Sequence, residues 1–446
     1  MRVAVVGGGF GGLTAARALV AAGFDAHVME AGPRAGGVVG TSRVDGFARE
    51  HAASSFLGNA TRGALALCKE LGVAVDRASP RAKRRWIFLD GKLRALPHNP
   101  IELVRSDLLT WRGKLELLRE PFAPAHGSVE DESVYAFASR RLGAEAARAI
   151  VAPFVTGVFA ADSHDISLEA GFPKLAALDA EGGLVRGMVK QMGRGMLGKL
   201  TGKASSASPR GLYAPAGGVG RLAEAMASSL GARVRTGVRV TSLATAPKGV
   251  LVNGETWDGA VLAIPADEAA SLVPGLPDLA NKLRVFRRAP VAVVYLGMPA
   301  SAVPKADNGF GFLVGAGEDV RVLGCVFETT VWPDRAPQGQ VLLRCIFGGG
   351  RDPSAASLSD AELIALAKSD LAHVLDAKAE PTHASVVKWP RGIAQYAVGH
   401  RDLVRAAVAA GRTHRIALAG ADYRGAGLND LIADGDVIAA EVRTWS

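Results

Sequence analysis

The sequence predicts an α/β protein built around an open parallel sheet, and three features near the N-terminus support this prediction. Arg2 to Val6 is a short apolar and β-branched run, which is typical of a buried strand. A glycine-rich turn follows, and then Leu13 to Ala22 has the composition of a helix. Asp25 to Glu30 again has the pattern of a strand. A strand, a helix and a second strand in this order form a βαβ unit, so the two strands are expected to lie parallel.

The glycines of the turn have a spacing that suits a pyrophosphate. Gly7, Gly9 and Gly12 fit the pattern G-x-G-x-x-G. In such a unit the first glycine makes a tight turn, the second admits the pyrophosphate, and the third lets helix and strand pack closely. The helix N-terminus then faces the phosphates. The candidate cofactor residues of the turn are Gly7, Gly8, Gly9, Phe10, Gly11, Gly12 and Leu13.

Glu30 ends the second strand about 20 residues further on, where a carboxylate accepts the 2′-hydroxyl of an adenosine ribose. A carboxylate would repel a 2′-phosphate at this point, which disfavours NADP. The ordered set of strand, glycines, helix, strand and acid predicts a bound dinucleotide. A purely structural βαβ unit is the alternative.

A second glycine motif after the acidic strand narrows the identity of the dinucleotide. Arg34, Gly36, Gly37 and Thr41 form the arrangement R-x-G-G-x-x-x-T. This arrangement resembles the second fingerprint of flavoproteins in the amine oxidase and protoporphyrinogen oxidase superfamily. The resemblance implies FAD, with the glycines close to the ribityl-diphosphate and the arginine adding positive charge; a glycine-rich surface turn is the alternative. The cofactor candidates here are Glu30, Ala31, Arg34, Gly36, Gly37 and Val38.

Changes in pattern along the chain predict that the cofactor domain is discontinuous. A helical pattern runs from Pro100 to about Thr201, and strand patterns return at 233–243, 249–252 and 259–266. A last strand at 415–422 and a helix after it are expected to complete the first sheet. The predicted fold is therefore α/β, with a discontinuous Rossmann-like FAD-binding domain, a helical insertion and a strand-rich α+β substrate domain. The FAD-binding parts are 1–85, 205–267 and 409–446, the helical membrane or substrate-channel domain is 86–204, and the substrate-binding domain is 268–408.

The composition of the chain restricts the classes of molecule that it is expected to bind. The chain has 446 residues, three cysteines and a formal net charge of +9. The positive charge favours an anionic partner such as substrate carboxylates or anionic lipid. There is neither a nucleic-acid motif nor a cluster with metal-ligand spacing. We expect a cytoplasmic protein without a signal peptide or membrane-spanning segment, and leave open a peripheral position on the inner face of the cell membrane and a homodimer.

Four further stretches extend the resemblance over nearly the whole chain. They are "AKRRWIFLDGKLRALP", "TGVFAADSHDIS" with "FPKL" after it, "NGFGFLVG", and "QYAVGH" with "GADYRGAGLND". Their order and spacing resemble the bacterial FAD- and oxygen-dependent protoporphyrinogen oxidases, of myxobacterial type. The resemblance implies oxidation of protoporphyrinogen IX to protoporphyrin IX in heme biosynthesis, with non-covalent FAD and O₂ as the acceptor. It implies no catalytic side chain, because the cofactor carries the redox chemistry.

The resemblance also implies roles for single residues that would bind the substrate. Arg85 matches an arginine that pairs with a substrate propionate; a solvated hairpin charge is the alternative. Gly157 matches a backbone position that touches the tetrapyrrole. Three apolar residues match the walls that enclose the macrocycle, although such residues are more often ordinary core: Phe310, Leu313 and Ile346.

For the cofactor, the resemblance implies a backbone contact of Val240 with adenine and a place for Trp389 near the flavin. The remaining cofactor candidates are Ser54, Ala426, Gly427 and Leu428. The chain departs from the family pattern after Glu50, where "HAASS" replaces a Gly-Pro-Asn-Ser run. The resemblance places this departure near the flavin, where it can alter the choice of substrate or the rate of oxidation; it does not argue against FAD.

Alternative functions share the fold. Coproporphyrinogen III oxidation requires recognition of four propionates rather than two, and another amine oxidase or desaturase would also use FAD. A non-enzymatic carrier on this fold would lack the full FAD fingerprint. No cysteine follows Cys345, which excludes covalent flavin attachment near the C-terminus.

A membrane contact is a further expectation. Between residues 184 and 200 an apolar stripe recurs every four residues with basic residues between its members. Such a basic amphipathic helix can lie in a lipid interface, and a core helix over the substrate channel is the alternative. The stripe comprises Leu184, Met188, Met192, Met196 and Leu200.

Overall fold

The computed structural model describes residues 1–58, 60–123, 130–188, 190 and 211–445. The strands are β1 (Arg2–Val6), β2 (Asp25–Glu30), β3 (Thr41–Val44), β4 (Phe47–Glu50), β5 (Phe56–Leu57), β6 (Val75–Arg77), β7 (Arg85–Leu89), β8 (Lys92–Ala95), β9 (Leu212–Pro215), β10 (Val234–Thr236), β11 (Leu243–Ala246), β12 (Gly249–Val252), β13 (Glu255–Trp257), β14 (Gly259–Leu262), β15 (Arg287–Pro299), β16 (Gly311–Val314), β17 (Gly324–Phe327), β18 (Gln340–Gly348), β19 (His383–Gln395) and β20 (Ile416–Leu418).

The α-helices are α1 (Phe10–Ala21), α2 (Ala64–Glu70), α3 (Pro100–Arg105), α4 (Trp111–Leu118), α5 (Val134–Leu142), α6 (Ala144–Ala146), α7 (Ala152–Phe159), α8 (Leu168–Gly171), α9 (Pro173–Ala180), α10 (Gly220–Leu230), α11 (Ala266–Leu272), α12 (Pro277–Leu283), α13 (Glu328–Val331), α14 (Asp360–Leu375), α15 (His400–Arg412) and α16 (Leu428–Arg443).

The nucleotide sheet combines the start, the middle and the end of the chain. It has five strands in the order β10-β2-β1-β14-β20, and each neighbouring pair is parallel. Strand β1 is buried on both faces, which explains its continuous apolar run. Val3 and Val5 pack with α1 and α16 on one face, whereas Ala4 and Val6 pack with α12 and α15 on the other.

A second sheet of seven strands has the order β19-β15-β18-β17-β16-β7-β8. The hairpin β7–β8 turns at Asp90 and Gly91, and both residues have positive φ. Strand β7 then pairs parallel with β16, with Arg85 opposite Gly311. The hairpin therefore extends the seven-stranded sheet, although the sequence pattern assigns residues 86–204 to the helical part. That division remains a prediction.

Some element boundaries differ from expectation for local reasons. The strand expected over 233–243 is only β10, because the chain turns at Gly237, whose φ is +70°. Helix α1 begins at Phe10 rather than Leu13, so the last glycines of the motif are already helical. Strand β19 was not predicted because Pro390 and Gly392 interrupt its pattern.

The helical insertion is described in part. Leu184 and Met188 of the expected amphipathic stripe are described, whereas Met192, Met196 and Leu200 lie outside the described residues. Among the described helices, none has the length and apolar character needed to cross a membrane.

Candidate active site

The glycine turn at the start of α1 has no room for side chains. A Cβ atom on Gly12 would lie 1.9 Å from the carbonyl oxygen of Gly7. Gly7 has a φ of +103°, and a Cβ atom there would lie 2.6 Å from the carbonyl oxygen of Ala263 in the chain after β14. The turn, the helix and the neighbouring strand therefore pack backbone against backbone, as the motif predicts.

The second glycine motif lies directly against the first. The amide of Gly36 donates to the carbonyl of Gly8 over 2.7 Å, and a Cβ atom on Gly37 would lie 2.9 Å from the Cα atom of Gly9. The Arg34 guanidinium donates to the carbonyls of Gly37 and Val39, so it braces its own loop. Ala31 and Val38 are both exposed.

Glu30 is fixed at the carboxyl end of β2. Its carboxylate accepts the amide of Gly8 over 2.7 Å and the amide of Gly32 over 2.7 Å. Gly9, the residue that precedes α1, offers no side chain to cap the helix, so the first amides of α1 keep donors for a ligand. The glycine cradle, the uncapped helix and the carboxylate fit the diphosphate and ribose of a dinucleotide.

The start of α16 lies at the same edge of the sheet. Thr14 in α1 donates its hydroxyl to the carbonyl of Leu431 over 2.9 Å, which holds the two helices together. A Cβ atom on Gly11 would lie 3.0 Å from the Cα atom of Gly420. The predicted residues at the helix start differ in exposure: Ala426 and Gly427 are exposed and Leu428 is buried.

The other predicted cofactor residues are spread around this edge. Val240 is half-buried and packs against the core below the sheet. Ser54 is half-buried, and the Trp389 indole N–H donates to the carbonyl of His51 over 2.7 Å. The structure thus brings residue 51 and β19 together, a contact that no sequence pattern indicated.

A cavity of about 370 Å³ lies between the seven-stranded sheet and the helical insertion. All five predicted substrate residues line it: Arg85, Gly157, Phe310, Leu313 and Ile346. Sequence reasoning missed several other apolar lining residues: Trp86, Phe154, Phe172, Leu175, Leu323 and Cys325. Phe154 on α7 is 49% exposed, and an exposed aromatic side chain on an apolar helix is the signal that was available.

Arg85 supplies the one charged side chain among the described residues that line the cavity. It is exposed, and its guanidinium carbon lies 5.2 Å from the centre of the Phe310 ring. Its neighbour Arg84 instead lies over the ring of Trp86, at 5.5 Å. Stacking on Phe310 holds the Arg85 charge at the cavity while its donors remain available for an anion.

Helix α7 and strand β16 approach closely across the cavity. A Cβ atom on Gly157 would lie 2.5 Å from Cδ2 of Leu313. Glycine therefore lets the Leu313 side chain pack on the helix backbone, and a larger residue at 157 would close this part of the cavity.

Acidic and basic side chains are buried at and around residues 50–52, at the end of β4. Burial raises the pKa of Glu50 to about 7, although the Arg335 guanidinium, the Thr41 hydroxyl and the Val219 amide each lower it. Burial likewise raises the pKa of Glu328, which lies 3.7 Å from Arg344. In the part of the chain that the structure describes, no group of His, Cys, Asp or Glu could hold a metal ion.

Comparisons with known proteins agree with this geometry. Residues 10–442 match the family model described as flavin containing amine oxidoreductase. The chain is 27% identical to "Coproporphyrinogen III oxidase" of Bacillus subtilis (strain 168), over 99% of this chain and 98% of the relative. It is 32% identical to "Protoporphyrinogen oxidase, chloroplastic" of Oryza sativa subsp. japonica, over 91% of this chain and 81% of the relative.

A solved structure from Exiguobacterium sp. 255-15, provisionally named a protoporphyrinogen oxidase, has the same fold with a TM-score of 0.83 and 23% identity. That comparison covers 100% of this chain and 99% of the other. The family match spans both halves of the nucleotide site and the sheet that carries the cavity. The chain therefore belongs to the flavin containing amine oxidoreductase family and is an FAD-dependent oxidoreductase.

Proposed function

We propose that the protein oxidises protoporphyrinogen IX to protoporphyrin IX in porphyrin biosynthesis, with O₂ as the final acceptor. The observation that carries the proposal is an apolar cavity with a single described cation, Arg85, in its lining. An apolar wall suits a tetrapyrrole ring, and a cation at its edge suits a propionate. Relatives named for porphyrinogen oxidation, at 27% and 32% identity, support the same substrate class.

The side chains of the cavity would bind and orient the substrate. FAD, when bound, supplies the two-electron acceptor for each of the three oxidation steps. Arg85 would hold one propionate by two parallel hydrogen bonds, and Phe310, Leu313 and Ile346 would enclose the macrocycle and exclude water. No described lining residue is a histidine, an aspartate or a glutamate, so we assign no protein base and expect pyrrole protons to pass to water.

Coproporphyrinogen III oxidation is the principal rival, because its substrate has the same macrocycle. Four propionates require more cationic partners than the one that the described lining offers. Porphyrin fluorescence from protoporphyrinogen and coproporphyrinogen, measured side by side at equal enzyme concentration, distinguishes the two. We expect the higher kcat/KM with protoporphyrinogen, and a clear preference for the tetra-acid would overturn the assignment.

Amine oxidation is less compatible with the site. An amine substrate is a cation at neutral pH, whereas the charged residue at the cavity is Arg85. Like charges at one site repel, and no described lining residue supplies a compensating carboxylate.

We also propose that one face of the helical insertion contacts an anionic membrane surface. Trp111, Leu115 and Leu118 of α4 are 68%, 58% and 71% exposed, and Phe122 just beyond the helix is 82% exposed. Arg112 and Arg119 are exposed beside them. Apolar side chains at this spacing with flanking arginines are typical of a helix that lies in a lipid interface.

A further inference from the structure

Three consecutive carbonyl groups at the end of β4 each accept a hydrogen bond from a different side chain. The Tyr295 hydroxyl donates to the carbonyl of Glu50 over 2.6 Å. The Trp389 indole donates to the carbonyl of His51 over 2.7 Å. The Arg344 guanidinium donates to the carbonyl of Ala52 over 2.5 Å.

The three donors come from three adjacent strands of the seven-stranded sheet, β19, β15 and β18. Tyr295 and Arg344 are direct partners in the β15–β18 register. Tyr295 is fully buried and Arg344 is 8% exposed, so water cannot readily replace either donor. A buried carbonyl that loses its donor pays the full cost of desolvation, which makes these contacts strong constraints on the segment.

The opposite side of the segment contacts the nucleotide site. The amide of His51 donates to the carbonyl of Gly40 over 2.8 Å, which joins it to the loop of the second glycine motif. The Glu50 carboxylate accepts the amide of Val219 over 3.1 Å and the hydroxyl of Thr41 over 2.6 Å. His51 and Ala52 form neither helix nor strand, so these side-chain contacts, together with the one backbone bond to Gly40, determine where they lie.

We propose that Tyr295, Trp389 and Arg344 are positioning residues that fix residues 50–52 and thereby hold the second glycine loop in the geometry that binds FAD. We call these three residues the carbonyl clamp. The clamp also connects two sites, because β18 carries both Arg344 and the cavity residue Ile346. The inference depends on FAD binding and not on the identity of the substrate, so it survives if the proposed porphyrinogen activity fails.

The test removes one hydroxyl and nothing else. Tyr295→Phe keeps the buried ring and leaves the Glu50 carbonyl without its donor. We expect the dissociation constant of FAD, measured as flavin fluorescence released on dilution of the holoprotein, to rise about tenfold, which corresponds to ~1.4 kcal/mol. The visible absorption spectrum of the remaining bound flavin should also change.

Thr330→Val is the matched control. Thr330 is buried in the same part of the molecule, and its hydroxyl donates to the carbonyl of Ala306 over 2.5 Å, away from residues 50–52. This variant should lower Tm while the dissociation constant of FAD stays within about twofold of the wild-type value.

Arg344→Lys provides a second variant, because lysine keeps the charge but lacks the planar fork that reaches both Glu328 and the Ala52 carbonyl. It too should weaken FAD binding. If both clamp variants lower Tm as the control does while FAD affinity and spectrum stay unchanged, the clamp is only structural and the proposal is wrong. If Tyr295→Phe does not fold, the same two measurements on Arg344→Lys decide.

Discussion

Arg85 shows how a single side chain is placed for a function. It begins β7, its backbone pairs with β16, and its guanidinium lies on the Phe310 ring, so the strand and the ring together fix the charge at the cavity. The sequence locates the hairpin turn from Asp90 and Gly91. Local pattern does not distinguish Arg85 from Lys83 and Arg84 as the residue that binds an anion, and only the family resemblance does so. In the structure, Arg84 lies over Trp86 and Arg85 lines the cavity.

Removing the Arg85 side chain tests its role directly. If it binds a propionate, Arg85→Ala should raise the KM for protoporphyrinogen, because a charged hydrogen bond contributes ~1.5–3 kcal/mol, or roughly 10- to 150-fold. The kcat should change less, since the contact is present in both the bound substrate and the transition state. Arg84→Ala is the control and should be near neutral; an unchanged KM in Arg85→Ala would remove the assignment of this residue.

Glu30 is the residue on which adenosine recognition depends. Glu30→Ala should raise the dissociation constant of FAD by about tenfold or more, because it removes the acceptor for the ribose and leaves the Gly8 and Gly32 amides without their partner. Flavin retained after gel filtration measures this. Asp25→Ala, at the exposed start of the same strand, should retain FAD normally. Equal retention by all three proteins would contradict the assigned role.

Glu50 predicts a pH dependence of stability. Its pKa rises from 4.5 to about 7 in the folded protein, chiefly through burial. A raised pKa means that the folded state holds the proton more tightly, so the resulting stability is present below about pH 4.5 and is lost as pH rises through about 7. The free energy of unfolding of the wild type should therefore fall relative to that of Glu50→Gln between these pH values, by on the order of 3 kcal/mol, and its Tm should fall with it. A wild-type Tm that stays level with, or rises relative to, that of Glu50→Gln as pH rises would contradict this.

Among helices and strands, the local sequence predicts an element well where interactions between residues close in the chain determine its structure. The β1–α1–β2 unit follows from its glycines and its alternation of strand and helix, and all three elements form. Strand β19 shows the opposite case: Pro390 and Gly392 are unfavourable locally and lie where its register with β15 shifts, and the strand forms because the residues on both sides of them pair with β15. Residues 50–52 are held by side chains from distant strands, which no local pattern encodes.

Helix α4 offers a test of the membrane face. Trp111→Ser combined with Leu118→Ser removes two exposed apolar side chains without touching the core. We expect wild-type protein to float with vesicles that contain anionic lipid, and the double variant to float much less, because binding scales with buried apolar area. Val285→Ser, which changes a 57% exposed valine elsewhere, should float as the wild type does. Equal recovery of all proteins with and without vesicles would refute a membrane role for this face.

At the scale of the whole molecule, chain order and spatial order differ. The nucleotide sheet places β20 beside β14 and β10 beside β2, so one domain is assembled from three distant parts of the chain. Buried apolar strands near both ends and in the middle made this arrangement predictable. The cavity is harder to predict from the sequence. Its lining comes from α7, β7, β16 and β18, which meet only in the folded protein, and its apolar residues have the same sequence pattern as core residues.

Anaerobic mixing of the purified holoprotein with protoporphyrinogen, followed by flavin absorbance and porphyrin fluorescence together, tests directly whether the protein oxidises this substrate. We expect flavin absorbance to bleach as fluorescence rises, with three flavins reduced for each porphyrin formed, and coproporphyrinogen to react more slowly under the same conditions. Admission of O₂ should restore the flavin absorbance. Flavin that stays oxidised in the presence of protoporphyrinogen, or that is bleached faster by coproporphyrinogen, would contradict the proposed function.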